Sequence, residues 1–505
     1  MENEEHIRAL SCISLESGTI REVQFVAAGT FALPGGGREE GLPPFFRVKI
    51  HSEPAPGSNV NTEVWLPETG WNGRLLGTGN GGGAGSIWHP VLANGVRQGF
   101  AAANTDMGTS PDANRAAGFP ERWADFGYRA THVMTVVAKE LIRKFYGRPA
   151  DRAYFMGSST GGQQGLMEAQ RFPSDYDGIV AGVPANNRTL LHTAFLWNYR
   201  ALREGPGSLL KREDIERITR KAVSLRSPKD GGNAEDAFFT DPGSCELSSG
   251  EILKDLPLSG EQKEALEKIY AGPVNPRTGE QIYTPIPLGS ESSPYGLLYQ
   301  EDSEHCPEDL FYPFQWAFGG DFDCFAFDFD RDLDALNQKL APILNANSPD
   351  LDAMRKNGGK LLLYSGTADP LVPYPDALNY YERVAEAQRG LERTRDFFRY
   401  FLIPGRCHGS TLSFDIGDNA FLSALMEWVE NGKAPDRMLA SARRGGNPAG
   451  EILAQRPVYA YPEFAEYVCG DPDLPSSYRS RTHRESRIRR PAARYLAAGA
   501  ASPVR

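Results

Sequence analysis

The chain has 505 residues, of which 40% are hydrophobic and 24% are charged, and its formal net charge is −11. The length allows one large domain or two to three smaller ones, and the composition is typical of a globular enzyme. The negative net charge argues against a nucleic-acid-binding protein. No apolar run is long enough to cross a bilayer, and Met1–His6 lacks the pattern of a signal peptide. The sequence therefore predicts a cytoplasmic location without a membrane partner, unless a leader is missing.

The first part of the chain reads as short strands separated by Gly/Pro turns. Apolar residues alternate over Ile20–Phe31 and Phe45–Ile50, and Thr62–Pro67 adds a further strand. The strand that begins at Arg74 then runs into a glycine-dense loop, Gly77–Gly85.

This loop could be a flexible turn or a phosphate cradle. However, it has neither the Lys-Ser/Thr pair of a P-loop nor a G-x-G-x-x-G spacing that opens a βαβ unit with an acidic partner. A glycine-rich loop after an early strand is also where α/β-hydrolases place one backbone N–H of the oxyanion hole. We prefer this last interpretation.

Strands and helices alternate in the next part of the chain, in a βαβ pattern. Phe100–Asp106 and Asp177–Gly182 are apolar strand segments, and Trp123–Tyr146 and Gln163–Arg171 read as helices, the first with apolar residues at helical spacing. Strands that alternate with helices in this way predict a parallel sheet with helices on its faces.

Between these elements, Ala153–Gly162 reads as a strand, a sharp turn and the start of a helix. Gly157–Gly161 has the sequence GSSTG and matches G-x-S-x-G, the nucleophile elbow of α/β-hydrolases, with Ser159 as nucleophile. With 53 glycines in the chain, a chance match is common. The motif therefore needs a base, an acid and an oxyanion hole from elsewhere in the chain.

The alternation of strands and helices ends at about residue 198. Residues 198–357 are rich in Gly, Pro, Ser and acidic residues. We predict that this segment is a lid domain inserted over the sheet. Its aromatic runs, Phe311–Phe318 and Phe325–Phe329, either form the lid side of an acyl pocket or belong to the core of the lid. The candidates for substrate contact are Phe314, Trp316 and Phe318.

Two apolar strands after this segment each end in a polar turn. Gly359–Gly366 leads to Asp369, and Phe397–Ile403 leads to His408. Acyl transfer through a serine needs a base to take the hydroxyl proton and a carboxylate to orient that base, and α/β-hydrolases carry them in the order Ser, Asp/Glu, His. Because the carboxyl ends of parallel strands converge at one edge, we predict that Ser159, Asp369 and His408 meet in one cleft.

These elements predict an α/β-hydrolase fold, in the mixed α/β class. Residues 1–197 and 358–475 would form the catalytic domain, and residues 198–357 the lid inserted between the nucleophile and the acid. Residues 476–505 are rich in arginine. They could be a nucleic-acid-binding arm, but we interpret them as a flexible, solvated tail and expect no nucleic-acid partner.

Several longer motifs resemble the tannase/feruloyl esterase family. They are Gly79–Gly82, Asp125–His132, the elbow region Ser158–Pro173, Ala368–Pro373 and Arg456–Pro457. The motifs occur in the order of the family, and the resemblance extends from Cys12 to Asp471, so it covers nearly the whole chain.

The resemblance implies an α/β-hydrolase with a large lid between Ser159 and Asp369. It implies hydrolysis of carboxylic esters of aromatic or phenolic acids, such as gallates, hydroxycinnamates and mono-terephthalate esters. Ser159 would be the nucleophile, His408 the general base and then acid, and Asp369 the residue that orients His408.

By the same resemblance, the backbone N–H groups of Thr160 and of Gly81 or Gly82 would form the oxyanion hole. This chemistry requires no cofactor. The expected partner is a small aromatic ester.

The chain departs from the family at a disulfide. In the family, a cysteine before the nucleophile is bridged to a cysteine after the catalytic histidine, whereas here Ser158 precedes Ser159 and Gly409 follows His408. That bridge cannot form. The 6 cysteines show no C-x-x-C spacing, so no zinc site is indicated. We predict a family member adapted to a reducing compartment.

The lid of the family also carries a calcium loop, which Lys229–Pro242 resembles. Calcium takes six to eight oxygen ligands. Asp230, Asp236 and the backbone oxygen at Phe238 are the candidate ligands of a structural calcium ion. Ser227 stands where a first aspartate is expected, so the sequence leaves open whether the site is intact.

Two other functions are consistent with the sequence. The same triad could hydrolyse an amide or a C–C bond of an intracellular aromatic compound, since the leaving group cannot be read from a sequence. Alternatively, the chain could be a non-catalytic binding protein on the same fold. The presence of Ser159, Asp369 and His408 argues against the binding protein, and the family resemblance favours ester hydrolysis.

Overall fold

A computed structural model describes residues 2–205, 207–296, 298, 308–411, 414–444, 447, 450–482 and 488–497. The strands are β1 (Thr19–Val26), β2 (Gly29–Ala32), β3 (Arg38–Leu42), β4 (Phe45–Ser52), β5 (Val60–Pro67), β6 (Arg74–Thr78), β7 (Ala101–Thr105), β8 (Arg152–Ser158), β9 (Gly178–Gly182), β10 (Lys360–Gly366), β11 (Phe398–Ile403), β12 (Arg406–Cys407), β13 (Ser410–Thr411), β14 (Arg437–Arg443), β15 (Ile452–Tyr459), β16 (Glu463–Tyr467) and β17 (Tyr478–Thr482).

The helices are α1 (Glu2–Ser11), α2 (His89–Arg97), α3 (Pro120–Ala124), α4 (Ala130–Tyr146), α5 (Thr160–Arg171), α6 (Arg188–Ala201), α7 (Arg212–Ser224), α8 (Ser249–Leu253), α9 (Gly260–Ala271), α10 (Glu308–Phe318), α11 (Arg331–Leu344), α12 (Asp352–Lys356), α13 (Tyr374–Ala387), α14 (Leu391–Arg395), α15 (Asp418–Asn431) and α16 (Ala493–Ala497). Within the described residues, no helix combines the length and the apolarity that a membrane span requires.

Nine of the described strands form one central sheet, in the order β1-β4-β5-β7-β6-β8-β9-β10-β11. The pairs from β1 through β7 are antiparallel. The remaining pairs are parallel, as the alternation of strands and helices predicts; they are β7-β6, β6-β8, β8-β9, β9-β10 and β10-β11. A short connection can reverse the chain between β4 and β5, whereas parallel neighbours need the longer helical crossovers that this half contains.

Successive residues of β8 point to opposite faces of the sheet. Phe155 lies in a buried cluster with Val137 of α4 and Leu141 one turn later. Tyr154 lies in a second cluster on the other face, with Leu425 of α15. Full burial of one large apolar side chain contributes about 1.5–3 kcal/mol. The two layers of helices therefore fix β8, and with it the loops at the carboxyl edge of the sheet.

A long segment of the chain is inserted between two strands that are neighbours in the sheet. β9 and β10 pair in the sheet, but α6 to α12 lie between them in sequence. The sequence predicts only scattered helical patches here. The starts of two helices in this segment have a local sequence signal. Ser248 caps α8 and Ser259 caps α9, each in a capping box.

The inserted segment packs directly on the rest of the molecule. Leu333 and Leu336 of α11 share one buried cluster with Trp123 and Phe126, which precede α4. Helix α6 spans residue 198, the predicted start of the insertion. The predicted boundary between the catalytic domain and the insertion therefore falls inside a helix, where a change in composition does not mark the end of an element.

The arginine-rich tail is packed where the structure describes it. β17 pairs with β16 along its whole length, and Tyr495 is only 2% exposed, in the cluster that contains α11. Residues 476–482 and 488–497 are thus folded, in contrast to the flexible tail predicted from composition. The reason is that scattered apolar residues such as Tyr495 anchor a segment that is otherwise strongly charged. The rest of the tail lies outside the described residues.

Candidate active site

Ser159 lies at the sharp turn between β8 and α5. Its backbone has φ 60° and ψ −116°, a conformation that costs a non-glycine residue on the order of 1–3 kcal/mol. The turn is tight, since a Cβ atom on Gly157 would lie 2.7 Å from the backbone of Gly161. The Ser159 N–H also donates to Gly182 O at 2.9 Å. These contacts hold the strained turn and leave the serine side chain half-buried.

The structure brings the three residues of the predicted triad together. His408 Nε2 is 3.1 Å from Ser159 Oγ, and His408 Nδ1 is 2.8 Å from Asp369 Oδ2. When Nδ1–H donates to the carboxylate, Nε2 is left to accept the serine hydroxyl proton. Asp369 is fully buried and His408 nearly so, which shields this hydrogen-bond chain from water.

Backbone contacts orient the acid and the histidine. Asp369 Oδ1 accepts the N–H groups of Leu371 and Val372, both at 2.9 Å, so that Oδ2 faces the imidazole. His408 lies in the turn between β12 and β13. The N–H of Ala368 donates to Arg406 O at 3.1 Å and thereby joins the two turns directly.

The glycine-dense loop after β6 lies against the elbow. Gly161 donates its N–H to Asn80 O at 2.8 Å, and the Thr160 hydroxyl donates to Gly82 O at 2.6 Å. Within the described part of the chain, the N–H groups of Thr160, Gly81 and Gly82 meet no protein acceptor. They are therefore available to an oxygen atom of a ligand.

No motif in the sequence singles out Arg188, which lies behind this loop at the start of α6. Its guanidinium donates to Thr160 Oγ1 at 2.9 Å and to the Tyr312 hydroxyl at 2.7 Å, and it is 3% exposed. Among the described residues, no carboxylate forms an ion pair with it. Burial and the Arg188 charge lower the pKa of His192 to about 3, so that neighbour is neutral. One buried positive charge therefore lies beside Thr160.

The three aromatic candidates of the predicted lid occupy two environments. Phe314 and Trp316 are 0% and 1% exposed in the cluster around α11, where Trp316 stacks on Trp123. Phe318 is 40% exposed. In the described residues no ring contact joins any of the three to His408. Phe314 and Trp316 thus lie in a packed hydrophobic core that the inserted segment shares with residues outside it.

Tyr295, which the sequence did not single out, does lie beside the histidine. Its ring centroid is 6.1 Å from that of His408, in an edge-to-face arrangement, and Tyr295 is 65% exposed. An exposed aromatic ring at this place can pack against a ring of a bound ligand.

The candidate calcium ligands already have protein partners. Asp230 accepts two backbone N–H groups, at 2.7 and 3.0 Å. Asp236 forms an ion pair with Arg456 at 2.8 Å, and the carbonyl oxygen of Phe238 accepts a hydrogen bond from Arg226. Burial raises the pKa of Asp230 to about 6. Each of these oxygen atoms thus already has a protein donor, whereas a calcium ion requires six to eight oxygen ligands of its own.

His132, Glu168 and Asp175 form a second set of ligand-type side chains, with donor atoms within 4.8 Å of one another. His132 Nδ1 is 2.6 Å from Asp175 Oδ2. Burial, with repulsion from Asp175, raises the pKa of Glu168 well above its usual range. Burial thus disfavours the charged form of this carboxyl group, and we interpret the set as part of the packing between α4 and α5.

No disulfide is present in the part of the chain that the structure describes, and Cys306 lies outside it. Cys407 is buried next to His408, and its thiol donates a weak hydrogen bond to Gly405 O at 3.8 Å. Backbone hydrogen bonds and packing thus hold the turn of the histidine.

Dithiothreitol is therefore expected to leave ester turnover unchanged. The measurement is the initial rate on one aryl ester after incubation with the reductant, compared with an untreated sample. A large loss of rate that reoxidation restores would contradict this expectation.

A mixed sheet with the strained serine turn, the buried acid and the histidine at its carboxyl edge defines an α/β-hydrolase. A sequence model of the family described as tannase and feruloyl esterase matches residues 47–305 and 317–481. The chain belongs to this family and is a carboxylic ester hydrolase.

Similar proteins cover nearly the whole chain. An uncharacterized esterase of Xanthomonas campestris pv. campestris is 32% identical over 513 residues, which span 91% of this chain and 88% of that protein. Feruloyl esterase B of Aspergillus niger is 30% identical over 480 residues, or 89% of this chain and 90% of that protein.

Solved structures confirm the predicted fold class. The crystal structure of feruloyl esterase B from Aspergillus oryzae superposes with a TM-score of 0.85 at 25% identity, over 94% of this chain and 100% of that chain. Tannin acyl hydrolase from Aspergillus niger has a TM-score of 0.74 at 20% identity, over 98% and 96% of the two chains. The predicted family is likewise confirmed.

Proposed function

We propose that the chain hydrolyses esters of aromatic or phenolic acids through an acyl-enzyme on Ser159. The observation that carries this proposal is the continuous hydrogen-bond chain from Ser159 Oγ through His408 to Asp369 at a strained turn. Two relatives, at 30% and 25% identity, are feruloyl esterases, which supports an acid component with a phenolic ring.

Acylation begins when His408 Nε2 takes the hydroxyl proton of Ser159 and Oγ bonds to the ester carbonyl carbon. The carbonyl oxygen becomes negatively charged, and the N–H groups of Thr160 and of Gly81 or Gly82 stabilise it. His408 then gives its proton to the alcohol oxygen, the C–O bond breaks, and the acyl group remains on the serine.

Deacylation repeats these steps with water. His408 takes a proton from the water molecule, the oxygen attacks the acyl carbon, and the acid leaves as the proton returns to Ser159 Oγ. Asp369 stabilises the imidazolium in both halves. Every step uses protein groups and water, so the mechanism needs no cofactor.

We also propose that residues 198–357 act as a lid over this centre. Tyr295 belongs to that segment and packs edge-to-face with His408, which supports a role at the rim of the substrate site. The small aromatic ester is the only partner that the mechanism needs.

A labelling experiment and an ester panel test this function. A fluorophosphonate probe is expected to modify Ser159. Methyl ferulate, methyl gallate and mono-hydroxyethyl terephthalate should include at least one ester with a higher kcat/KM than short acetates. Absence of labelling would contradict the acyl-enzyme, and preference for acetates over every aromatic ester would contradict the acid component. Anilides of the same acids test amide hydrolysis.

Replacement of Arg188 by methionine is expected to lower kcat about tenfold, with a smaller change in KM. This loss is below the 10²–10³-fold, or about 2.7–4 kcal/mol, that removal of a direct oxyanion donor costs, because Arg188 acts through the hydroxyl of Thr160. Arg188→Lys keeps the charge and should recover part of the loss. Steady-state kinetics on one aryl ester gives kcat and KM separately.

Arg200→Met is the matched control. Arg200 lies on the same helix, with its guanidinium on Phe327 O at 2.7 Å and not on Thr160. Equal losses of kcat in the two variants, or losses that follow their melting temperatures, would show that Arg188 has only a structural role.

A further inference from the structure

The guanidinium of Arg226 lies at the centre of the loop that resembles a calcium site. Nη1 donates to the carbonyl oxygen of Asp236 at 3.0 Å and to that of Phe238, and Nη2 donates to Asn233 O at 2.5 Å. Nε is 3.6 Å from Asp230 Oδ2, and the Arg226 side chain is 8% exposed. Three carbonyl oxygens and one carboxylate therefore converge on this planar cation.

Converging carbonyl and carboxylate oxygens are also what a calcium ion requires. In this loop, however, the inward oxygens at Asn233, Asp236 and Phe238 are all occupied by N–H donors of one side chain. A metal ion could reach them only if the buried guanidinium left, and two adjacent cations would repel each other in a low-dielectric site.

The charges around the loop support the same conclusion. Asp230, Asp236 and Asp241 are buried there, beside the largely covered guanidinium groups of Arg226 and Arg456. Three carboxylates and two guanidinium groups give the cluster a formal charge of −1, so the two arginines already compensate most of the negative charge. A divalent cation bound beside them would reverse the charge to +1 instead of neutralising the cluster, and burial of uncompensated charge is costly.

We propose that the guanidinium of Arg226 takes the place of a structural calcium ion, so that the folded loop is independent of metal. The arginine supplies from within the chain the positive charge and the directional contacts that an ion would otherwise supply. Removal of this side chain should therefore create a calcium-binding site at the same oxygens.

The loop also touches the two turns that carry the catalytic acid and base of the proposed mechanism. The hydroxyl of Thr367 donates to Phe239 O at 2.8 Å and accepts the N–H of Gly405 at the same distance. Thr367 lies two residues before Asp369, and Gly405 lies three residues before His408. A disordered loop should therefore lower turnover as well as stability.

The first arm of the test uses the wild-type chain. EDTA followed by desalting is expected to change neither its melting temperature nor its turnover of an aryl ester, and titration calorimetry with CaCl₂ should detect no binding. Stoichiometric calcium binding, or a loss of stability that EDTA causes and calcium reverses, would overturn the proposal. This arm does not depend on the identity of the substrate or of the nucleophile.

The second arm uses Arg226→Ala, with Arg220→Ala on the exposed surface of α7 as the matched control. Arg226→Ala is expected to lower the melting temperature by at least about 3 °C. Millimolar CaCl₂ should restore most of this loss and MgCl₂ much less, since magnesium gives up its water ligands reluctantly. Arg220→Ala should show neither effect. An Arg226→Ala variant that folds but gains nothing from calcium would overturn the metal-like role.

If Arg226→Ala does not fold, Arg226→Lys replaces it. Lysine keeps one charge but cannot reach three carbonyl groups, so partial loss of stability without calcium rescue is expected. Full stability of Arg226→Lys would show that the directional contacts do not matter and would overturn that part of the proposal.

Discussion

Replacement of Ser159 by alanine is expected to lower kcat on aryl esters by at least about 10⁴-fold. The substitution removes the atom that forms the acyl bond, and water held by His408 is a poor substitute for it. The strained backbone of the turn, with φ 60°, is held by packing around two glycines and should survive the change. Turnover of one aryl ester and labelling by a fluorophosphonate probe measure the effect.

Ser158→Ala is the control for this variant, since Ser158 is the adjacent residue of the same turn and its side chain is not part of the hydrogen-bond chain. It should retain turnover within a few-fold. Full activity of Ser159→Ala, or equal losses in both variants, would refute the assignment of the nucleophile.

Replacement of Asp369 by asparagine is expected to lower kcat about 10⁴-fold with little change in fold. Asp369 Oδ1 is held by two backbone N–H groups, so the remaining side-chain atom of asparagine must face His408 Nδ1. Whether that atom is nitrogen or oxygen, the negative charge that stabilises the imidazolium is lost. An amide N–H would also favour the tautomer of His408 that cannot accept the serine proton.

Asp376→Asn is the matched control. This carboxyl group is also buried, and burial raises its pKa to about 6, but its partner is the hydroxyl of Tyr283, 3.3 Å away, and not His408. It should retain kcat within a few-fold. A comparable loss in both variants at unchanged melting temperature would refute the role of Asp369.

Much of the fold could be predicted because its signals are local. The apolar runs of β8, β9, β10 and β11 form mostly buried strands, and alternation with helices predicts their parallel pairing. The inserted segment was predicted less well. Two of its helices, α8 and α12, have only 5 residues each, and α6 continues across the expected boundary.

The arginine-rich tail marks another limit of composition. Charge density predicts solvation, but one or two apolar side chains suffice to anchor a segment where the surface offers a complementary site. Tyr495 is buried in this way. Whether such a site exists depends on the packing of distant helices, which no window of sequence contains.

The order of the proposed nucleophile, acid and base, and their positions after apolar strands, can be read from the sequence, because a strained turn and a strand end are local features. The tertiary structure alone decided the environment of these groups. Arg188 reaches Thr160 and Arg226 fills a loop that resembles a metal site only after helices far apart in sequence have packed together. Burial then decides which charges need partners, and burial is a property of the whole molecule.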